Sequence, residues 1–264
     1  MSASDHFRAG RIEEAISEAQ SAVRSHPNDE GARYLLAELL CFTGELDKAD
    51  KQLDALRDLD PKSMMTVSMF RQLIRSEQAR EQFYHDGRVP EFIEKPSPIL
   101  ELHLQASMLV REGNQAEAAR VLAEAESQRS PVKGACDGEP FADFRDLDDL
   151  NSSFFEVYTA TGKYYWLPFE KVEEIEFRTP DRPRYLLWRG ARLSLREAGD
   201  LEVHLPALYP GSARQSDVQC QLGRMTNWRG GDGEPMRGIG QRTFLIGEET
   251  RGIMQISTIR FEAA

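Results

Sequence analysis

Cysteine and histidine are scarce in this 264-residue chain. Cys41, Cys136 and Cys220 lie far apart, so they form no disulfide framework and no Cys-x-x-Cys pair of the kind that holds zinc. His6, His26, His85, His103 and His204 are equally scattered, and no two have the four-residue spacing of a zinc helix. No Gly-x-Ser-x-Gly elbow marks a nucleophile. No run approaches the ~18–20 apolar residues that span a bilayer. The first ten residues lack the basic stretch and apolar core of a secretory signal. Basic charge is short as well: 33 Lys plus Arg stand against 44 Asp plus Glu, a net charge of −11. That balance argues against a general nucleic-acid binder, which needs a clustered basic face. These absences predict a soluble cytoplasmic protein without metal, cofactor or catalytic centre.

What is present divides in two. Residues 1–150 hold 18 basic and 29 acidic side chains, whereas residues 151–264 hold 15 of each. Six of the acids fall between Asp137 and Asp149, so residues 1–133, with 17 bases and 23 acids, are only mildly acidic. Glycine runs the other way, with 5 before residue 134 and 14 from there on. Trp166, Trp188 and Trp228 all lie in the second part.

The first part repeats. Gly10, Gly44 and Gly113 each precede an alanine five residues on: Ala15, Ala49 and Ala118. Gly10 and Gly44 are 34 apart, Gly44 and Gly113 are 69 apart, and Pro27 and Pro61 are 34 apart. A 34-residue period with a small residue at the inter-helix turn and a terminal proline is the tetratricopeptide signature. Glycine lets one helix end and the next begin tightly, alanine lets the pair approach, and proline stops the second helix. Leu35, Leu36, Leu39, Leu40, Leu46, Ala49, Leu53 and Leu56 recur at helical steps, continued by Met65, Met69, Leu73, Leu100, Leu104, Met108, Val121 and Leu122. No glycine stands near residue 78. The third unit therefore reads as one continuous helix broken only at Asp86-Gly87, followed by an extended crossing marked by Pro90, Pro96 and Pro98. Three to four helix pairs are expected before residue 130.

In the second part, Asp143, Asp146, Asp148 and Asp149 lack the alternating ligands and glycine of a calcium loop. They read as caps of a helix whose stripe is Leu147, Leu150, Phe154 and Tyr158, ending at Gly162. Beyond it, residues 164–167, 185–188, 192–196, 201–205, 243–246 and 254–261 read as short strands, with a bulge at Ser257-Thr258 and one helix around 169–177. The glycine-rich run 229–242 contains Gly238-Ile239-Gly240, but Thr243 replaces the third glycine of a dinucleotide fingerprint and a strand follows. It reads as a flexible hairpin loop. The fold expected is an all-α tetratricopeptide-like solenoid over residues 1–133, then an α+β domain rich in antiparallel strands over 134–264.

Short motifs along nearly the whole chain resemble one known family. They are Leu39-Leu40-Cys41-Phe42-x-Gly44, Ala49 through Asp60-Pro61, Gly138-Glu139-Pro140-Phe141, and Gly162-Lys163-Tyr164-Tyr165-Trp166-Leu167-Pro168-Phe169. Further on come Tyr209-Pro210-Gly211-Ser212, Leu222-Gly223-Arg224-Met225-Thr226-Asn227-Trp228 and Gly238-Ile239-Gly240-Gln241-Arg242. In order and spacing these resemble the ImpE (TagJ, SciE-type) accessory proteins of type VI secretion systems. Asn227, where an acid is common, and Arg189-Gly190, where Ala-Pro is usual, depart from the pattern.

The resemblance implies the same two-part fold and a role without catalysis. It implies association with the contractile sheath through a helical segment of the smaller sheath subunit, and tuning of the AAA+ unfoldase that disassembles contracted sheaths. A partner helix would dock by burying its apolar face in a groove. The contact is expected in the second part, from Trp166, Trp188, Asp217, Arg224, Thr226, Trp228, Gly238, Gly240, Gln241 and Arg242, with core packing as the alternative for the tryptophans. The competing class is a nucleotide- or anion-binding regulator, or an enzyme, using the run 229–242.

Overall fold

The computed structural model describes residues 1–57 and 64–263. Pro61 and the end of the motif that begins at Ala49 lie outside the described residues. Among the described residues seven helices come first: α1 (Ala3–Arg8), α2 (Ile12–Ser25), α3 (Glu30–Phe42), α4 (Leu46–Arg57), α5 (Met64–Asp86), α6 (Pro98–Arg111) and α7 (Gln115–Gln128). Gly10, Gly44 and Gly113 take φ of +78°, +70° and +81° at the α1–α2, α3–α4 and α6–α7 turns. After each, the next amide reaches back five residues: Arg11 to the His6 carbonyl at 2.9 Å, Glu45 to Leu40 at 3.0 Å, Asn114 to Leu109 at 2.9 Å. This is the left-handed helix stop that glycine adopts without strain. Ala15, Ala49 and Ala118 are completely buried between the paired helices.

α5 runs unbroken for 23 residues and, among the described residues, no helix follows it across a tight turn, because the crossing over residues 88–96 comes next. Its buried face is Val67, Phe70, Leu73, Ile74, Ala79 and Phe83. Met65 and Met69, expected in the core, are 77% and 47% exposed, and Met108 on α6 is exposed too. The α5 stripe turns on Phe70 and Ile74, one position away from Met69.

The strands are β1 (Gly134–Cys136), β2 (Glu139–Phe141), β3 (Phe144–Asp146), β4 (Phe154–Thr159), β5 (Tyr164–Pro168), β6 (Val172–Phe177), β7 (Trp188–Leu195) and β8 (Gly199–Pro206). After the one-turn helix α8 (Val218–Gln221) come β9 (Thr226–Gly231), β10 (Glu234–Gly240), β11 (Thr243–Ile246), β12 (Glu249–Gly252) and β13 (Thr258–Phe261). An antiparallel eight-stranded sheet has the order β2-β1-β13-β6-β7-β8-β4-β5. β12-β11-β3 form a second sheet, and β9–β10 form a separate ribbon.

Two expected helices are strands. Leu147, Leu150, Phe154 and Tyr158 belong to β3's exit, a 3₁₀ turn at Asp149–Asn151 and β4. Both faces of β4 are covered, so its apolar residues run together and imitate a helical stripe. Phe154 and Tyr158 pack toward the helices, Phe155 and Val157 toward the second sheet. Asp148 does cap, but caps the 3₁₀ turn, accepting the Leu150 amide at 2.9 Å. Residues 169–177 are a 3₁₀ turn and β6, where a register shift between Val172 and Glu174 against β7 puts buried Val172 and Ile175 three residues apart. A β-bulge thereby produced helical spacing. Of residues 185–188, the first two lie in a 3₁₀ turn (Pro183–Leu186) and only Trp188 opens β7. Met254 lies in a 3₁₀ turn at Ile253–Gln255, and Ser257 precedes β13, so the last strand begins at Thr258.

The resulting layers are helices, large sheet, small sheet. One apolar cluster joins the helical half to Phe154, Tyr158, Tyr164, Trp166, Leu187, Trp188, Leu208 and Leu222 of the strand half. The sheet occupies the place of α5's missing helical partner.

Candidate functional site

A buried charge network fastens that junction. Glu156 of β4 accepts Arg80 Nε at 2.9 Å and Nη2 at 2.7 Å, Tyr164 Oη at 2.5 Å, and Arg242 Nη2. Arg242 Nη1 bonds Asp146 at 3.0 Å, and Tyr209 Oη donates to the same carboxylate at 2.7 Å. On the helical side Glu77 accepts Tyr158 Oη at 2.6 Å and Trp188 Nε1 at 2.7 Å. Burial alone would raise the Glu156 carboxyl, but the Arg80 and Arg242 guanidiniums hold it at about 2. A carboxylate so low and so fully bonded is neither a general acid nor a general base near neutral pH.

His103 of α6 is fully buried, with Nε2 2.9 Å from Ser153 Oγ. Burial pushes its imidazole from 6.5 down to about 4. Below pH 6.5 the unfolded chain takes a proton that native His103 refuses. Its contribution to stability is therefore complete above 6.5 and is lost as pH falls toward 4. At 1.36 kcal/mol per unit this amounts to about 3 kcal/mol. Urea unfolding of the wild type and of His103→Gln should show the difference between them shrinking by about 3 kcal/mol from pH 7 to pH 4. A pH-independent difference would contradict the assignment.

The chain itself covers the inner face of α3. Every residue from Leu36 to Phe42 is buried. Beyond its neighbouring helices, α3 is covered by the Pro183–Leu186 turn, whose Arg184 Nη1 meets Glu38 Oε1 at 2.7 Å with both side chains buried. At the repeat's end, Arg224 Nη2 donates to the Phe7 and Arg8 carbonyls at 2.8 and 3.1 Å, clamping the end of α1.

Besides a hollow of about 570 Å³ lined by Glu30, Leu35, Glu38 and Pro183 among others, two open surfaces involve the strand half. The first is a groove where the crossing meets the strand half, floored by Phe92, Trp166, Leu167 and Leu195 beside exposed Ile93, with Lys171 paired to Glu94 at 3.2 Å on its rim. It shares walls at Ser97, Leu100, Pro168 and Glu170 with a larger hollow of about 540 Å³ that continues along residues 128–133. The second is a depression of about 550 Å³ between β9 and β12, lined by Arg224, Met225, Thr226, Trp228, Gln241 and Thr250 among others.

Known proteins place the chain in a family. A family described as "ImpE protein" matches residues 138–260, and one described as "Tetratricopeptide repeat" matches residues 6–66. The type VI secretion system accessory component TagJ of Pseudomonas aeruginosa (strain PAO1) is 30% identical over 263 residues, covering 99% of this chain and 92% of that protein. The chain belongs to the ImpE/TagJ family. A crystal structure of a Vibrio parahaemolyticus protein shares its fold, with a TM-score of 0.91 at 22% identity over 98% of this chain and 97% of that one.

Within this ImpE/TagJ fold the residues expected to touch a partner separate. Thr226, Trp228, Gln241 and Arg224 come together around the depression. Trp166 and Trp188 are core, 1% and 2% exposed; their indoles donate to Tyr164 Oη and Glu77, so neither is a surface anchor. Arg242 is consumed by the buried network. Asp217 caps α8 through the Gln219 amide at 2.8 Å. A Cβ on Gly238 would stand 2.1 Å from the Tyr209 ring, and one on Gly240 2.0 Å from the Met225 carbonyl. Both glycines serve close packing.

The glycine-rich run is the β9–β10 ribbon, closed by a left-handed Asp232-Gly233 turn, rather than a loose loop. Its outward amides at Met236 and Gly238 already bond Asp149 and Asp148, at 2.7 and 2.9 Å. Carboxylates occupy the donors that a bound phosphate would need. The acidic seam of the sequence is thus spent on Arg129, Arg242 and these amides. Among the described residues no group of three or more His, Cys, Asp or Glu could hold a metal. No helix there is long and apolar enough to cross a membrane. The groove at Ile93 went unforeseen; Phe92 and Ile93, between Pro90 and Pro96, were its one sequence trace.

Proposed function

We propose that this chain is a non-catalytic accessory component of a type VI secretion system. It docks a helical segment of the small contractile-sheath subunit and tunes how the AAA+ unfoldase handles the sheath. Its relation to TagJ of Pseudomonas aeruginosa, an accessory component of that system, supports the setting. The observation that carries the docking mode is the groove at Phe92, Ile93, Trp166 and Leu195. A helix satisfies its own backbone, so it needs apolar walls and few polar partners, and this groove supplies both halves of the chain as walls. Burial of Leu36–Phe42 favours this groove over one formed by the inner face of α3.

Ile93 is 52% exposed, so Ile93→Asp leaves the fold intact. Losing one buried aliphatic anchor, worth roughly 1.5–3 kcal/mol, weakens binding about ten- to hundredfold. Pull-down and calorimetry with the cognate small sheath subunit should show that loss. Full-length sheath subunit should bind, and a version shortened at its helical segment should not. Equal binding of the shortened subunit would end the proposal.

A further inference from the structure

β9 and β12 each have a single strand neighbour, β10 and β11. The other edge of the ribbon is closed: the outward amides of Met236, Gly238 and Gly240 on β10 are taken by Asp149, Asp148 and Ser212 Oγ at 2.7, 2.9 and 2.8 Å. Since Gly238 pairs with Trp228 and Gly240 with Thr226, the same alternation turns the backbone groups of Trp228 and Thr226 outward along β9. On β12, the Leu147 amide bonds Thr243 and so turns Thr243 and Leu245 toward β3, which leaves Thr250 facing away from β11. Gly252 of β12 gives its amide to Gln255 Oε1 at 2.8 Å. Among the described residues nothing pairs with the outward groups of Trp228 or Thr250. The depression of about 550 Å³ lies between these two edges, lined by Thr226, Trp228, Thr250 and Met254.

Uncovered strand edges are a hazard that proteins usually blunt. Here one edge of the ribbon is blunted by three side chains while the other faces a depression of the right kind for a strand. Its walls mix threonines and glutamines with Leu147, Met225, Trp228 and Met254, beside unpaired strand backbone that an extended segment can pair with and a helix cannot. Trp228 and Arg229 point to opposite faces of the ribbon. A helix laid on either face reaches one of them, whereas a strand on the edge reaches both.

Charge selects the occupant. Arg224 is the ionised side chain that lines the depression. Arg229, next along β9, stands directly opposite Arg237, and burial and the Arg237 charge push its guanidinium down, with Asp148 only partly offsetting them. Like charges set opposite each other on a ribbon are unfavourable, and the buried Nε of Arg237 has no acceptor. Pairing of two copies through β9 would bring four such arginines together. An incoming acidic side chain removes the repulsion instead.

We propose that the edge of β9 facing β12 accepts an extended segment of a partner protein, in which apolar residues toward Trp228 alternate with acidic residues toward Arg229. The groove at Ile93 has no part in this, because Ile93→Asp leaves β9 and β12 untouched; failure of the helix-docking test and failure of this one are separate results.

The test uses the full chain in solution, followed by backbone NMR with three decapeptide probes: alternating Val and Glu, alternating Val and Lys, and the Val–Glu peptide with two residues of its pairing edge replaced by proline. The Val–Glu peptide should shift and protect the Trp228 and Thr250 amides. It should bind at least tenfold more tightly than the Val–Lys or the proline peptide, and Arg229→Glu should abolish the preference for Glu over Lys. Absence of Val–Glu binding overturns the proposal. So do shifts mapping away from β9 and β12, equal binding of the Val–Lys or proline peptide, or concentration-dependent dimerisation through β9.

Discussion

Glu156→Gln lowers the free energy of unfolding by about 3–5 kcal/mol, the cost of leaving a buried charge uncompensated. The substitution keeps the side chain's size and some of its hydrogen bonds, so the loss is electrostatic. Among the described residues Glu156 is the one carboxylate shared by Arg80 and Arg242, and all three side chains are buried. Asp146 still faces Arg242, but Arg80 retains only Glu77, at 3.4 Å, and the Leu208 carbonyl. The pH linkage gives the same scale. A carboxyl held at about 2 instead of 4.5 contributes stability that is complete above 4.5 and disappears as pH falls toward 2. That difference is worth about 3 kcal/mol. For a chain of this size the thermal midpoint should fall by about 10 °C, measured by circular dichroism, with urea titration giving the free energy. A change below about 1 kcal/mol, the scale of an exposed ion pair, would mean that the network contributes little beyond packing.

The second large effect concerns the division at residue 133. Expressed separately, residues 1–133 and 134–264 should each fail to unfold cooperatively, while co-expression should restore a soluble complex. The physical reason is the shared core. Without the strand half, Phe70, Leu73, Ile74 and Phe83 of α5 lose their cover, and Glu38 and Arg80 are stranded without their partners. Without the helices, Phe154, Tyr158, Trp166 and Trp188 would face water. Exposed aromatic patches of that kind associate non-specifically. A sharp, reversible melt of either half alone would show that the two are independent domains and that their contact is only docking.

How legible this was depended on the range of the interactions. The glycine–alanine repeat was readable because its cause is local: glycine stops a helix in a left-handed turn and alanine fits the gap five residues later. Strands β5, β8 and β11 were readable from composition and turns. β4 and β6 were not. The burial of both faces of β4, and the bulge in β6, each produced helix-like spacing, and both are decided by strands distant in sequence.

The site shows the same limit. Thr226, Trp228 and Gln241 could be singled out from the sequence, and the fold brings them together. Trp166 and Trp188 were indistinguishable from them by type, because whether a tryptophan meets water or a helix depends on what packs over it. The groove at Ile93 left only a proline-flanked apolar stretch behind.

By itself, then, the sequence determined the elements whose cause lies within one turn or hairpin, together with the absence of any metal or nucleophile motif. The tertiary structure decided the rest: the inner face of α3 covered by the Arg184 turn, the acidic seam spent on arginines and ribbon amides, and the groove and depression at the strand half. Those outcomes depend on contacts between residues more than a hundred positions apart, such as Glu38 with Arg184 and Phe7 with Arg224. Charge and backbone groups must be paired when buried, and only the folded chain fixes which partner is within reach.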